Sequence, residues 1–396
     1  MLKEKASKIM VWILGGLAVR WKQPVAYDFT GNSFFSEAVK DRCLEIVRES
    51  YKVGITVRVL TCDMGNRNVW KALGIEVGPQ ILNNSFCHPC VEGQKMFVMA
   101  DVVHAFKNFK EMLTNNKVIH LPDRIVEDQG LPSSAVKVAH IFALIDYQSG
   151  DMWRMTPKLK RSDVQCNHFD KMKLNVARRV INHRTAASLF NIAFMEGGDP
   201  EMVTTAWMVL LMHEWFRYVT CRSLLSALSK KNTEAYEQAI TILKLTMDVF
   251  QHMYISGGWK PVQTAIKIST KTILDLAELC LNELGYDFLF TGRLTQDIIE
   301  NLFSVIRYRR PTPTPLQVTQ RLRQTTISML LREVPGSSYD FETEGEILIN
   351  IFEELKFAAL DTALNNNGDW PRDFIILLFT KVVTQYHKKK IKCCTE

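Results

Sequence analysis

The rhythm of hydrophobic and polar positions changes along the chain. Residues 8–19 and 23–30 are two strand-like runs parted by a short polar break at Arg20 to Lys22, and together they predict a hairpin. Residues 36–50 place Ala38, Val39, Leu44, Ile46 and Val47 near helical spacing, with Ser33 as a candidate N-cap and Gly54 as the stop. Residues 55–62 are rich in β-branched side chains and predict a buried strand. Asp63-Met64-Gly65-Asn66 follows as a turn, with a short helix over 69–73. A further apolar strand over 95–100 ends at Asp101, and residues 102–113 predict a helix. The first hundred residues are therefore mixed α/β.

From about residue 133 to 289 the pattern becomes helix after helix. Residues 202–228, 232–253 and 264–284 are long and amphipathic, which suggests a separate helical unit. Residues 296–306 predict another helix, ended before Pro311. Pro311, Pro313 and Pro315 alternate with Thr, so 311–315 read as an extended linker, with a helix over 317–332 beyond it. Residues 336–342 read as a loop, and 344–363 and 370–385 as helices.

Composition narrows the class. With 396 residues, the chain has room for two to four domains of roughly 100–200 residues. Hydrophobic residues at 47% and charged residues at 23% exclude a largely disordered chain or a small disulfide scaffold. A membrane-spanning helix needs about 18 apolar residues in a row, and the longest clean run, 9–19, is too short. Lys3, Lys5 and Lys8 before that run imitate a signal peptide, but Glu4 interrupts the basic start and Arg20, Trp21 and Lys22 crowd the cleavage position. The nine cysteines are scattered and odd in number, which favours a reducing compartment.

The net charge of +7 is unevenly spread. Residues 151–190 carry nine Lys/Arg against three Asp, and 301–332 carry six Arg and no acid. Such segments suit a nucleic-acid surface; they equally suit solvated helix faces. Candidate chemistry rests on three acids. Asp63 follows a buried strand, whose C-terminal end holds a carboxylate rigidly. Asp297 and Glu300 are three apart on one helix face. Carboxylates gathered at one edge bind Mg²⁺ or Mn²⁺, because hard cations take oxygen ligands, and a metal pair can cleave phosphodiesters. The alternatives are ordinary: Asp63 as a turn residue and Asp297 as an acid favoured by a helix N-terminus. Cys87-His88-Pro89-Cys90 lacks the second ligand pair a zinc site needs and reads as a loop with two free thiols.

Four segments in order carry a family resemblance: Trp21-Lys22-Gln23-Pro24-Val25-Ala26-Tyr27, Cys62-Asp63-Met64-Gly65-Asn66, Phe97-Val98-Met99-Ala100-Asp101-Val102-Val103-His104-Ala105-Phe106-Lys107-Asn108, and Arg293-Leu294-Thr295-Gln296-Asp297-Ile298-Ile299-Glu300-Asn301-Leu302-Phe303. In order and wording the chain resembles the P element transposases, including relatives with a THAP-type zinc finger. The resemblance implies an α/β fold, an RNase H-like fold interrupted by a large all-α insertion domain. It divides the chain into 1–115 (N-terminal RNase H-like part), 116–290 (helical insertion), 291–335 (C-terminal part with the catalytic helix) and 336–396 (a C-terminal region of uncertain membership).

The same resemblance implies catalytic roles for Asp63, Glu300 and Asp297, with Asp63 and Glu300 as Mg²⁺ or Mn²⁺ ligands. It implies a structural or DNA-contact role for Asp101, His104 and Lys107, and phosphate contacts from Arg307, Arg309 and Arg310. The implied partner is DNA at transposon ends, with a homo-oligomer left open, no membrane, and action in the nucleus. The family's first catalytic aspartate lies on a strand ahead of the hairpin matched by 8–30, so the chain is expected to lack that strand and to cleave weakly or not at all. A catalytically dead DNA- or protein-binding nuclear protein is the alternative. Some relatives bind GTP in the insertion through an Asn-Lys-x-Asp type pattern; here Asn116-Lys117-Val118-Ile119 lacks the closing acid and there is no Walker-type loop, which places GTP in doubt.

Overall fold

The computed structural model describes residues 7–19, 21–31, 34–116, 118–150, 154–195, 197–308, 310–331 and 374–383. The hairpin forms as expected: β1 (Lys8–Gly16) pairs antiparallel with β2 (Lys22–Thr30). Ile9 to Leu14 on β1 are all buried, so the run that imitates a signal peptide is an interior strand. The turn is tight at Gly16, where a Cβ would lie 2.1 Å from the Val19 carbonyl oxygen. Helix α1 (Ser36–Lys52) buries Val39, Cys43, Ile46 and Val47. Its N-cap is Phe35, without a side-chain cap bond; Ser33, the candidate cap, lies outside the described residues. Gly54, at φ +85°, turns the chain out of the helix as expected.

Strand β3 (Thr56–Cys62) is buried at every position. A 3₁₀ turn over Met64–Asn66 and helix α2 (Arg67–Ala72) follow it, then β4 (Glu76–Val77), β5 (Leu82–Asn83), β6 (Ser85–Cys87) and β7 (Lys95–Ala100). β7 runs parallel to β3 and antiparallel to β6. Helix α3 (Val102–Asn116) leaves the end of β7.

The insertion begins with a small hairpin, β8 (Val118–His120) and β9 (Ala135–Lys137), enclosing α4 (Asp123–Asp128). It is therefore mainly, not wholly, helical. Helices α5 (Val138–Tyr147), α6 (Arg161–Val164), α7 (Leu174–Val180), α8 (His183–Ala193), α9 (Met202–Val219), α10 (Thr233–His252) and α11 (Pro261–Glu278) follow. The sequence extends α9 to residue 228, but it stops at Val219, nine residues sooner. Asn232 and Asn182 cap α10 and α8 by accepting from Ala235 and Thr185 N–H.

The insertion is bonded to the sheet through α11. Ser269 Oγ donates to the Ala100 carbonyl at 2.8 Å and Thr272 Oγ1 to the Val98 carbonyl at 2.8 Å. Asn84 Nδ2 donates to Asp275 Oδ2 at 2.9 Å. The buried Lys267 ammonium reaches the Gly78 carbonyl at 2.8 Å. One hydrophobic core runs through sheet and insertion together, so the unit that looks separate in sequence shares its interior with the α/β part.

Helix α12 (Asp297–Arg307) and helix α13 (Pro315–Leu331) return the chain to the sheet. The largest departure from expectation comes last. The sequence predicts a helix over 370–385, but residues Phe374–Val383 form a strand, β10. It lies between β1, to which it is antiparallel, and β3, to which it is parallel. The sheet order is β2-β1-β10-β3-β7-β6. The place expected to lack a strand is thus filled from the C-terminal region. A central strand flanked on both sides often reads as a continuous apolar run, and periodicity cannot tell that run from a buried helix. The helix expected over 344–363 lies outside the described residues. No helix among the described residues is long and apolar enough to cross a membrane.

Candidate active-site edge

Parallel pairing puts two aspartates side by side. Cys62 and Ala100 are register partners at the C-terminal ends of β3 and β7. The next residues are Asp63 and Asp101, and Asp101 N–H donates to the Cys62 carbonyl at 3.0 Å. Asp63 is half-buried and its Oδ1 accepts from Asn66 Nδ2 at 2.8 Å, which holds the carboxylate at the sheet edge. The thiol of Cys62 beside it is fully buried, accepts from Trp70 Nε1 at 2.9 Å, and is pushed far up by burial, so it is inert.

Asp101 is 2% exposed and ties three parts of the chain together. Its Oδ2 caps α3 by accepting His104 N–H at 2.8 Å, and accepts the His104 ring at Nδ1 at 2.7 Å. Its Oδ1 accepts Gln296 N–H at 2.9 Å. Gln296 is the N-cap of α12, so Asp101 anchors the first turn of the helix that bears Asp297 and Glu300. Burial alone drives the Asp101 carboxyl up, but the His104 bond and charge, with the Gln296 and His104 amides, outweigh it and leave the pKa lowered. Burial likewise lowers His104, yet the Asp101 bond and charge prevail against it and against Lys107, and the His104 pKa is raised. Glu300 adds to that rise, which places its charge within the field of the His104 ring.

A second link comes from the insertion. Gly292 N–H donates to the Cys221 carbonyl at 2.8 Å, and Thr291 Oγ1 accepts Cys221 N–H at 3.0 Å. A Cβ at Gly292 would lie 2.6 Å from Arg222 Cγ, so only glycine permits this approach. Arg222 then ion-pairs with Asp297. Arg293 Nη1 donates to the carbonyls of Leu17 and Ala18 at 2.5 and 2.7 Å, fastening the β1–β2 turn to the same region.

The candidates named from sequence are therefore unequal. The structure brings Asp63 and the first turn of α12, with Asp297 and exposed Glu300, to one sheet edge. Asp297 is engaged by Arg222. Among the described residues, Asp63, Asp297 and Glu300 do not converge into a metal-holding group, and β10, the strand beside β3, contains no carboxylate. His104 and Lys107 sit on α3 at this edge. Arg307 lies over the Phe303 ring at the end of α12 and Arg310 is exposed; Arg309 lies outside the described residues. Arg321 caps α12, donating to the carbonyls of Ile306 and Tyr308. In the other basic segment Arg161, Lys173 and Arg179 pair with Asp146, Asp170 and Asp163. Part of the positive charge of residues 151–190 is thus paired within the chain.

Two other readings from sequence can be placed. Cys87 is exposed, Cys90 half-buried, and His88 Nδ1 accepts Cys90 N–H at 3.1 Å, as in an ordinary loop. In the Asn116-Lys117-Val118-Ile119 stretch, Ile119 is a fully buried strand residue where the nucleotide pattern would have an acid. Arg222 and the anchoring role of Asp101 were not found from sequence. The only available signal was Asp101 three residues before His104 at a helix start, which identifies the cap and not its link to α12.

Comparisons with known proteins point the same way. Residues 2–74 match the family model of the TNP-like, RNase H N-terminal domain. The Transposable element P transposase of Drosophila melanogaster is 25% identical over 343 residues, covering 82% of this chain and 42% of the relative. The chain thus spans less than half the length of that relative. The structure named "Drosophila P element transposase strand transfer complex" matches with a TM-score of 0.69 at 22% identity, over 81% of this chain and 70% of that chain. The α/β sheet with its mainly helical insertion is accordingly an RNase H-like fold.

Proposed function

We infer, from the P element-type transposase relationship that the three matches support, that this chain is the catalytic-region fold of such a transposase and acts as a DNA-binding protein with weak or no strand cleavage of its own. The observation that carries the reading is the Asp101 tether. The tether of the first turn of α12, which bears Asp297 and Glu300, to the strand end that presents Asp63 supports a site for a phosphodiester backbone at that sheet edge. The domain division follows the same reading: 1–115 and 291–335 build the RNase H-like part and 116–290 the insertion, with β10 now joining the sheet from 336–396.

The cofactor class of this chemistry is Mg²⁺ or Mn²⁺, with Asp63 and Glu300 as the oxygen donors. The fit is incomplete. Asp297 is paired with Arg222, and β10 supplies no acid beside β3. A metal pair needs more carboxylate than two side chains supply, so no cleavage step is assigned to this chain. GTP forms no part of the reading. DNA is the partner: Arg307 at the end of α12 and Arg310 beyond it, with His104 and Lys107 on α3, would meet phosphates, and a nuclear site of action follows from that partner. A catalytically silent, DNA-binding role is the specific form that the acid-free β10 favours.

Two measurements test this. Binding of a transposon-end duplex should weaken as salt rises, and the slope should fall in Arg307→Ala/Arg310→Ala. Incubation with supercoiled DNA and Mn²⁺ should give no nicking. Nicking by the purified chain that Glu300→Ala abolishes would overturn the silent reading; salt-independent binding would overturn the DNA reading.

A further inference from the structure

On the insertion, the turn leading into α9 meets α5 at three donors that the proposed function does not use. His140 on α5 is 4% exposed. Its Nδ1 lies 2.8 Å from Thr205 Oγ1, and that same hydroxyl oxygen accepts Lys137 N–H at 3.0 Å. Its Nε2 faces the turn, 3.3 Å from Asp199 Oδ2. Asp199 is oriented in turn by its Oδ1, which accepts Glu201 N–H at 2.9 Å. The ligand atoms of His140, Asp199 and Glu201 all lie within 4.8 Å of one another. The turn is compact: Gly197 has φ +74°, and a Cβ at Gly198 would sit 2.1 Å from the Ile192 carbonyl oxygen.

The geometry of the ring suits a metal ligand. Burial is the main influence on His140 and holds its pKa below the ordinary value, against the pull of Asp199 and Glu201 and with Lys137 assisting. With a cation bound, the tautomer that donates Nδ1–H to Thr205 Oγ1 would turn the Nε2 lone pair toward the space shared by the two carboxylates. Hydrogen bonding at the far nitrogen is the usual way a metal-binding imidazole is oriented. Outside this cluster, Nε2 has no hydrogen-bond partner among the described residues. The cation now facing the group is the Lys137 ammonium, ion-paired with Glu201.

We propose that His140, Asp199 and Glu201 form a binding site for a divalent transition-metal ion, with Zn²⁺ the best match, water completing its shell on the exposed carboxylate side. One imidazole and two carboxylates are borderline-to-hard donors, and Zn²⁺ ranks above Mn²⁺ and Co²⁺ on such sets. The ion would clip the start of α5 to the start of α9, displacing Lys137 from Glu201. Lys137 is a built-in competitor, so removing it strengthens binding.

Co²⁺, whose visible bands report coordination, is the probe, titrated into the full purified chain after treatment with EDTA and then displaced by Zn²⁺. The wild type should bind one more Co²⁺ than Asp199→Asn/Glu201→Gln, with visible bands and without the near-ultraviolet charge transfer that thiolates give. That double variant should lose affinity by about tenfold or more at this site, and Lys137→Met should gain severalfold. The two carboxylates are exposed enough that the double variant should keep the metal-free melting temperature, so loss of binding is separable from unfolding. Equal Co²⁺ stoichiometry and affinity in the wild type and the folded double variant would overturn the proposal, as would binding that does not saturate by about 1 mM, a concentration at which binding is worth only about 4 kcal/mol.

Discussion

Asp101→Asn changes one oxygen to an amide nitrogen at the point where β7, α3 and α12 meet. The wild-type carboxylate accepts from Gln296 N–H at 2.9 Å, His104 N–H at 2.8 Å and His104 Nδ1 at 2.7 Å, in a site only 2% exposed. Asn has one acceptor oxygen. If it serves His104, the amide group meets the Gln296 N–H as a second donor. If it serves Gln296, the amide group meets His104. Hydrogen bonds to a charged group contribute about 1.5–3 kcal/mol each, and at least one is lost with its donor left buried. A neutral amide is easier to bury than a carboxylate, which returns part of the loss. The net expectation is a destabilisation of about 2–4 kcal/mol. It is read as a fall in melting temperature and, locally, by amide hydrogen exchange. Gln296 exchange should accelerate by at least about thirtyfold, since about 1.4 kcal/mol is a factor of ten. The His104 pKa, followed by NMR, should fall as its anionic partner disappears. Unchanged Gln296 exchange would refute the tether even if the melting temperature drops, because loss of the α3 cap alone would then explain it.

Other outcomes follow from the same geometry. The Asp101–His104 pair predicts a defined pH window. The raised His104 pKa gives stability that is full below the unfolded value of 6.5 and is lost as pH rises through the higher folded value; the lowered Asp101 pKa gives stability present above 3.8 and lost as pH falls through the lower folded value. The stability difference between wild type and His104→Asn should therefore be largest between about pH 4 and 6.5 and shrink above it, as measured by denaturation at several pH values. Gly292→Ala drives a methyl to 2.8 Å from the Cys221 carbonyl oxygen and 2.6 Å from Arg222 Cγ. It should destabilise by about 1–3 kcal/mol and separate Arg222 from Asp297; an unaltered melting curve would show that the neighbouring segment yields freely. Ser269→Ala removes the donor to the Ala100 carbonyl and should cost about 1 kcal/mol in urea denaturation, testing whether α11 is held to the sheet by that bond. A fluorescent GTP titration should show no saturation, in keeping with buried Ile119 at the end of the Asn-Lys pattern.

Much of the fold was legible in the chain itself, because local rules govern hairpins and capped helices. The two strand-like runs over 8–30, the β-branched run before Cys62 and the apolar stretch before Asp101 locate β1, β2, β3 and β7. Asp63 at a strand end and Glu300 on a helix face could be named for the same reason. β10 could not, because a short continuous apolar run without alternation satisfies a buried helix and a central strand equally; its pairing with β1 and β3 decides the matter.

The site was less legible than the fold. Its decisive contacts join positions that no local pattern relates: Asp101 to Gln296 across 195 residues, Arg222 to Asp297 across 75. His140, Asp199 and Glu201 likewise come together only when α5 packs beside the start of α9. The amino-acid sequence by itself determined most of the strands and helices of the first hundred residues and which acids stand at their ends, since those outcomes depend on neighbours a few positions away. Which carboxylate anchors a helix, which is neutralised by an arginine and which strand fills the centre of the sheet were decided by tertiary structure, because buried charges and strand edges take whatever partner the completed packing brings within hydrogen-bonding distance.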